Sequence, residues 1–423
     1  MVQNARGTRD YLPEDQIPRQ KIISQLKEVF ELFGFSPLDT PAIERFETLS
    51  EKYAGGEEIL KEIFKLKDQG DRDLGLRFDL TVPLARVMAM NPELKMPFKR
   101  YHVDKVWRDG PVQRARFREF IQCDADVIGS ASKMTDAEIL RMIDFGFQKL
   151  GLKVTIKVNH ILVLDGILAY AGVEKTQRVF AILALDKLEK IGEPDVRKEM
   201  KEKGISLESI DKVFDIMQMK GSNSEKLSHL HKQIKNEEEK KGIKEMEEIL
   251  ELCQNFENDL VFDLSLARGL SYYTGIVVEV TLVDSDVKSS VCGGGRYDKL
   301  ISQMIGTERE YPAIGVSFGV DRIFEAINVN KSAKTVTQVL VVPIKVEIEA
   351  TRIAMKLRKE GIKTEVAYGK NMSKALEYSN AMKIPYSLII GERELKEDKM
   401  KLKNMETGEE KMISFSEIHK HLI

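Results

Sequence analysis

The chain has 423 residues, 42% of them hydrophobic and 32% charged, with a formal net charge of −2. That is enough sequence for two or three domains with buried cores, and the near-neutral total excludes a globally basic nucleic-acid binder while leaving local patches open. Cys123, Cys253 and Cys292 are too scattered and too few for a disulfide framework or a zinc spacing, and the six histidines form no metal motif, so no resident metal is expected. MVQNARGTRDYLPED carries no apolar signal region and no eighteen-residue apolar run follows, so the expected location is cytoplasmic, reduced and away from membranes.

In chain order, residues 14–34 place Ile22, Leu26, Val29, Phe30 and Phe33 at helical spacing and stop at Gly34. Strand-like runs follow at 63–66, 75–79, 99–108 and 117–128, then a helix over 135–150 and a strand over 154–158. From 174 to 256 charged helices dominate, including a long one at 232–252, which reads as an inserted helical unit. Its charged faces suit either solvent or a partner. Strand patterning resumes at 275–282, and a strand at 315–319 precedes a helix containing Arg322. A polar linker spans 328–336. Beyond it, strands at 339–343, 364–367 and 386–390 alternate with helices at 347–360 and 373–382, the pattern of a small α/β domain with a parallel sheet. Sixteen Lys and Arg against thirteen Asp and Glu leave residues 337–423 near +3.

Two stretches concentrate chemistry. Alternation along 117–128 puts Arg118, Gln122, Asp124 and Asp126 on one face, with Arg116 just ahead of them, and Ile121, Cys123, Ala125 and Val127 on the other. The preceding strand aligns Arg100, His102, Asp104 and Arg108 in the same manner, and the connection Asp109-Gly-Pro-Val-Gln-Arg-Ala115 is turn-rich and cationic. A polar strand face suits water or a pocket for a zwitterion. Arginine forks at Arg108, Arg114, Arg116 and Arg322 suit phosphate, yet neither a Walker loop nor a strand-linked GxGxxG is present. The second stretch is Arg268-Gly-Leu-Ser-Tyr-Tyr-Thr-Gly275, followed by Gly293-Gly-Gly-Arg-Tyr-Asp298. A cation, two tyrosines and a triple glycine suit an anion, a flat polar ring and a closely approaching ligand better than a core.

The hairpin resembles motif 2 of class II aminoacyl-tRNA synthetases, and Ala313-Ile-Gly-Val-Ser-Phe-Gly-Val-Asp-Arg322 resembles motif 3. Residues 268–273 and 293–298 look like signatures of the histidyl-tRNA synthetase branch, which Arg6-Gly-Thr-Arg-Asp-Tyr-Leu-Pro13 and Leu76-Arg-Phe-Asp-Leu-Thr81 also fit. The resemblance implies an α/β (α+β) chain: a catalytic domain at 1–327 built on an antiparallel sheet, with the motif 2 hairpin at 98–128 and the helical insertion, and an anticodon-binding domain at 337–423. It implies ATP-dependent ligation of L-histidine to tRNA(His) through a histidyl-adenylate, with Mg²⁺, in a homodimer. Carried over by residue, the histidine site is Asp79, Leu80, Thr81, Arg108, Gln122, Asp126, Arg268, Tyr272 and Tyr273. The ATP site is Arg108, Arg116, Arg322 and Gly293, Gly294 and Gly295, with Arg268 and Arg108 catalytic. Two positions depart from the family pattern: Ser271 stands where Asp is usual, and Gly110 where bacterial members often carry Glu. Adjacent tyrosines at 272 and 273 would face opposite ways in a regular strand, so either a bulge or loop edge redirects one ring or only one of the two touches the ligand directly. The alternative implied by the same fold is a non-catalytic regulatory subunit of histidine biosynthesis.

Overall fold

A computed structural model of the chain describes residues 2–50, 60–112, 117–268, 272–327, 334–418 and 421. Contacts divide it into two compact units, Met1–Arg9 with Ile22–Asn328, and Asp10–Lys21 with Val329–Ile423.

The strands of the first unit are β1 (Ser36–Pro37), β2 (Ile43–Arg45), β3 (Lys65–Lys67), β4 (Asp73–Leu76), β5 (Phe98–Trp107), β6 (Glu119–Ile128), β7 (Val154–His160), β8 (Asp259–Phe262), β9 (Ile276–Leu282), β10 (Cys292–Arg296) and β11 (Ala313–Gly319). Eight form one sheet in the order β1-β5-β6-β11-β10-β9-β7-β8, and β2-β4-β3 form a small second sheet. The six central strands of the large sheet are antiparallel, as the resemblance implies, while β1 and β8 join its two edges in parallel.

Register explains how the sheet acquires a polar face. One row reads His102–Asp124–Ser317–Gly293–Glu279–Lys157 across β5, β6, β11, β10, β9 and β7. The next row on that face reads Arg100–Asp126–Gly315–Gly295–Val277–Asn159. The intervening row, Tyr101–Ala125–Val316–Gly294–Val278–Val158, points the other way into the main core. There the helix Lys133–Lys149 packs through Ile139, Leu140, Ile143 and Phe147, with the Phe147 and Phe318 rings 5.5 Å apart. Each strand therefore spends one face on apolar burial and lends the other to the site.

The long helix expected at 232–252 is two helices, Asn223–Gln233 and Glu237–Leu252, because Asn236 caps the second by accepting the Glu238 N–H at 2.8 Å. Helices Lys175–Leu185 and Leu207–Met217 share a separate apolar cluster that includes Ala181, Val213 and Phe214. Glu237–Leu252 returns the insertion to the main core. Its Gly242 permits that approach, since a Cβ there would lie 2.8 Å from Cβ of Leu162.

In the second unit β12 (Val339–Ile344), β13 (Thr364–Val366), β14 (Tyr386–Gly391), β15 (Met400–Asn404) and β16 (Glu410–Ile413) form a sheet ordered β13-β12-β14-β15-β16. The three strands read from the sequence, β13, β12 and β14, are parallel as expected, and β15 and β16, which that reading did not include, extend the sheet antiparallel. A crossover helix is needed only between parallel strands, and β14 to β16 are joined by short connections instead. Helices Glu347–Lys359 and Met372–Ala381 cover the sheet, the latter capped by Asn371, which accepts the Lys374 N–H at 3.0 Å.

Candidate active site

A cavity of about 770 Å³ lies over the polar rows of the large sheet. Asp79, Thr81, Arg108, Gln122, Asp126, Arg268, Tyr272, Tyr273, Gly293, Gly294 and Arg322 all line it, so residues separated by more than 240 positions meet in one space. Leu80 does not: it is fully buried, and its carbonyl accepts Nη2 of Arg100 at 3.1 Å, so its contribution is to packing. Arg114, Arg116 and Ser271 lie outside the described residues.

Asp79 stands at the start of the helix Thr81–Met90 and accepts the Val82 N–H at 3.0 Å. Burial nevertheless pushes its carboxyl up to about 6, against the pull of that N–H and of Arg108. Arg108, at the end of the motif 2 strand, is braced by the Phe78 carbonyl at 3.0 Å and lies over the Phe120 ring. Across β6 and β11, the Gln122 Nε2 donates to Ser317 Oγ at 3.0 Å, which fixes the amide and leaves its Oε1 without a partner. Asp126 sits deeper. Nη2 of the fully buried Arg100 is 2.8 Å from it, and the Tyr297 hydroxyl donates to its Oδ1. Burial raises both Asp126 and Tyr297 above their ordinary values.

The tyrosine pair precedes β9 instead of lying in it, which removes the conflict of opposite-facing strand neighbours. Both rings line the cavity, with centroids 4.8 Å apart. Arg268 has Nη1 3.4 Å from Glu279 and lies directly over Gly293, where a Cβ would come within 3.1 Å of Nη2. Within the triple glycine, Gly293 is the position that clears space for the Arg268 guanidinium. A Cβ at Gly294 would overlap the carbonyl of Gly315, and one at Gly295 would reach the Ile276 carbonyl at 2.5 Å and the Tyr273 ring at 3.0 Å. Gly293–Gly295 are therefore strand residues of β10, and Gly295 does not line the cavity. At the phosphate-ready end, Arg322 extends from the helix Val320–Ala326 and donates to the Ser290 carbonyl at 2.7 Å. The helical insertion supplies another wall, where Glu189 pairs with Lys157 of β7 at 3.0 Å.

Several functional positions escaped the sequence reading. Tyr297 lies within the quoted glycine signature but was not assigned a role; Arg100, Ser317, Gly315 and Glu279 required the strand register. At Gly110, a Cβ would fall 2.7 Å from the Glu62 carboxylate, so an acid from another segment fills that space. Asp39, His102 and Asp104 bring ligand atoms within 4.8 Å of one another. Arg77 is 2.6 Å from Asp104, and burial with Arg100 and Arg77 nearby pushes His102 down to about 4, the signature of an ion-pair network. Cys123, Cys253 and Cys292 are buried and unbridged.

A family model described as Histidyl-tRNA synthetase matches residues 7–323, and one described as Anticodon binding domain matches residues 338–423. The sequence is 41% identical over 426 residues to Histidine--tRNA ligase 1 of Bacillus anthracis, covering 100% of each chain. Among solved structures, it resembles histidyl-tRNA synthetase from Nostoc sp. PCC 7120 with a TM-score of 0.89 and 30% identity, over 100% of this chain and 99% of that one. The fold is shared more loosely with an ATP phosphoribosyltransferase regulatory subunit/histidyl-tRNA synthetase from Bacillus halodurans C, at a TM-score of 0.76 and 24% identity over 92% and 98% of the two chains.

Proposed function

The chain belongs to the histidyl-tRNA synthetase family, and we propose that the cavity on the polar face of its large sheet is where histidine and ATP meet. The protein carries out ATP-dependent histidylation of tRNA. In the first step a histidine carboxylate oxygen attacks the α-phosphorus of ATP, and the bond to the bridging oxygen breaks to release pyrophosphate. In the second the terminal tRNA hydroxyl attacks the carbonyl carbon of the histidyl-adenylate and AMP departs. Neither step needs a covalent enzyme intermediate, so rate comes from positioning and charge stabilisation.

Arg268 carries this reading: a cation over a side-chain-free strand position, lining one cavity with the tyrosine pair and Gln122. It would neutralise the attacking carboxylate and the α-phosphate as charge builds on phosphorus. Arg108 would hold the same groups from the hairpin side, and Arg322 would grip the outer phosphates, with Arg116 in the loop aiding it. Asp79, Thr81 and Gln122 would receive the α-ammonium. Asp126, oriented by Arg100 and Tyr297, would accept an imidazole N–H while a tyrosine of the 272–273 pair meets the ring's other nitrogen. Leaving such buried groups unpaired is what rejects side chains without an imidazole.

Mg²⁺ favours oxygen donors and usually stays mostly with phosphates and water, a chemistry that the carboxylates of Glu279 and Asp263 in the cavity wall fit. When bound there the ion would offset charge on the departing pyrophosphate. A homodimer is part of the same proposal, supported by family resemblance and by the exposed Ile43 and Leu66 of the small sheet. A cytoplasmic location follows from the same resemblance, and among the described residues no helix is long and apolar enough to cross a membrane. The match of residues 338–423 to an anticodon-binding domain supports tRNA(His) as the partner and leaves the regulatory-subunit alternative less supported.

Histidine-dependent exchange of pyrophosphate into ATP, measured without tRNA, tests the site. Exchange that is saturable by histidine is expected; folded protein with saturating Mg-ATP and no exchange would refute an activating site.

A further inference from the structure

Gln122, Asp124 and Asp126 project from β6 toward the cavity, two residues apart. The outer two have assignments in the proposed histidine site, and the middle one has none. Asp124 is only 3% exposed, yet its Oδ1 has no hydrogen-bond partner. A buried carboxylate oxygen left without a donor is a standing cost to the fold, and a charged ligand that fills it recovers that cost on binding.

Its neighbours narrow the ligand group. Asp126, one step deeper, is committed to Arg100 and Tyr297 beside the aromatic end. Gln122, one step outward, holds its amide by donating to Ser317, which leaves Oε1 free beside Asp124. Ser317 is also the cross-strand neighbour of Asp124. Asp124 lines the same cavity as Asp79, and Arg100, Asp126 and Asp79 all act on it electrostatically. An ammonium group has three donors and no acceptor, and it gains most from a concave set of acceptors carrying net negative charge.

We propose that Asp124 is a further substrate-binding residue, whose Oδ1 accepts an N–H of the histidine α-ammonium between Asp79 and Gln122. The assignment rests on the histidine reading of the cavity. Burial pushes the Asp124 carboxyl up to about 7, so an ammonium placed beside it would favour the charged form.

The test pairs two ligands with one isosteric change. Dissociation constants for L-histidine and for 3-(imidazol-4-yl)propionate, which lacks only the α-ammonium, are measured by calorimetry on the full-length protein and its Asp124→Asn variant. Histidine should weaken by roughly tenfold to a hundredfold, the range of one charge-assisted hydrogen bond, while the desamino acid changes by less than about threefold. Equal weakening of both ligands, or of neither, overturns the assignment. Asp124→Ser, which also removes the charge, gives the same comparison should the amide variant fail to fold. Wild-type protein that binds no histidine would instead overturn the histidine reading itself.

Discussion

Gly315 offers a test of how the site is built that leaves every ligand-facing side chain unchanged. In Gly315→Ala the added methyl would overlap Oδ1 of Asp126 and stand 2.5 Å from its Cγ, so the carboxylate must leave its place. It would then lose the Arg100 ion pair at 2.8 Å and the Tyr297 hydroxyl. The hydrogen bond from Tyr297 is worth about 1.5–3 kcal/mol and breaking a buried ion pair costs about 3–5 kcal/mol, so roughly 3 kcal/mol or more of organisation is at stake. Because Arg100 is fully buried, part of that loss appears as lower stability. The rest appears in binding: at about 1.4 kcal/mol per tenfold, 3 kcal/mol weakens histidine by about a hundredfold. In the proposed arrangement ATP occupies the other end of the cavity, so its KM should stay within about threefold by the same scale. The assay is pyrophosphate exchange with histidine and ATP varied separately, alongside urea denaturation. A histidine KM within twofold of wild type, with an unchanged denaturation midpoint, would show that Asp126 is not seated as described.

Replacing Arg268 with alanine should lower the rate of adenylate formation by about 10²–10³, the usual effect of removing one preorganised charge donor, with a smaller change in ATP KM; near-normal single-turnover rates would remove it from the transition state. The carboxyls of Asp79 and Asp124 are held near 6 and 7 by burial, above the ordinary 3.8. Acids raised in the native state bind more protons there than when unfolded, so they subtract stability at pH 8 that returns as pH falls through 7 and 6 toward 4. Histidine needs the charged forms, so its dissociation constant should rise as pH falls from 8 to 5.5, and its stabilisation of the protein against heat should shrink in parallel. A dissociation constant that is flat across that range would contradict the placement of these carboxylates under the ligand.

Local pattern carried much of this molecule. Period-two alternation along 117–128 correctly separated Gln122, Asp124 and Asp126 from Cys123, Ala125 and Val127, because a strand has only two faces. Helical spacing located Pro13–Leu32 and Lys133–Lys149 to within two residues at each end. The helix Thr81–Met90 was missed: its run of Val82, Pro83, Leu84 and Ala85 is apolar nearly all round, so no amphipathic period marks it. The single long helix drawn over 232–252 failed for another reason, since Asn236 as a cap competes with Asn236 as a helix residue only through local geometry.

By itself the sequence determined which strands have a polar side, where the arginines and tyrosines lie along them, and that the chain resembles one family. Only the tertiary structure decided which of those polar sides meet. His102, Asp124, Ser317, Gly293, Glu279 and Lys157 share a row because hydrogen bonding fixes the register of six strands drawn from a span of more than 200 residues. A one-residue slip in any pairing would turn that strand's polar side into the core, so burial of the opposite row is what enforces the site. The same register places three glycines, which read as room for a closely approaching ligand, in a strand where one clears space for Arg268 and another is closed by its neighbours' backbone. Sequence separation hides such constraints, because the atoms that forbid a Cβ belong to residues far away along the chain.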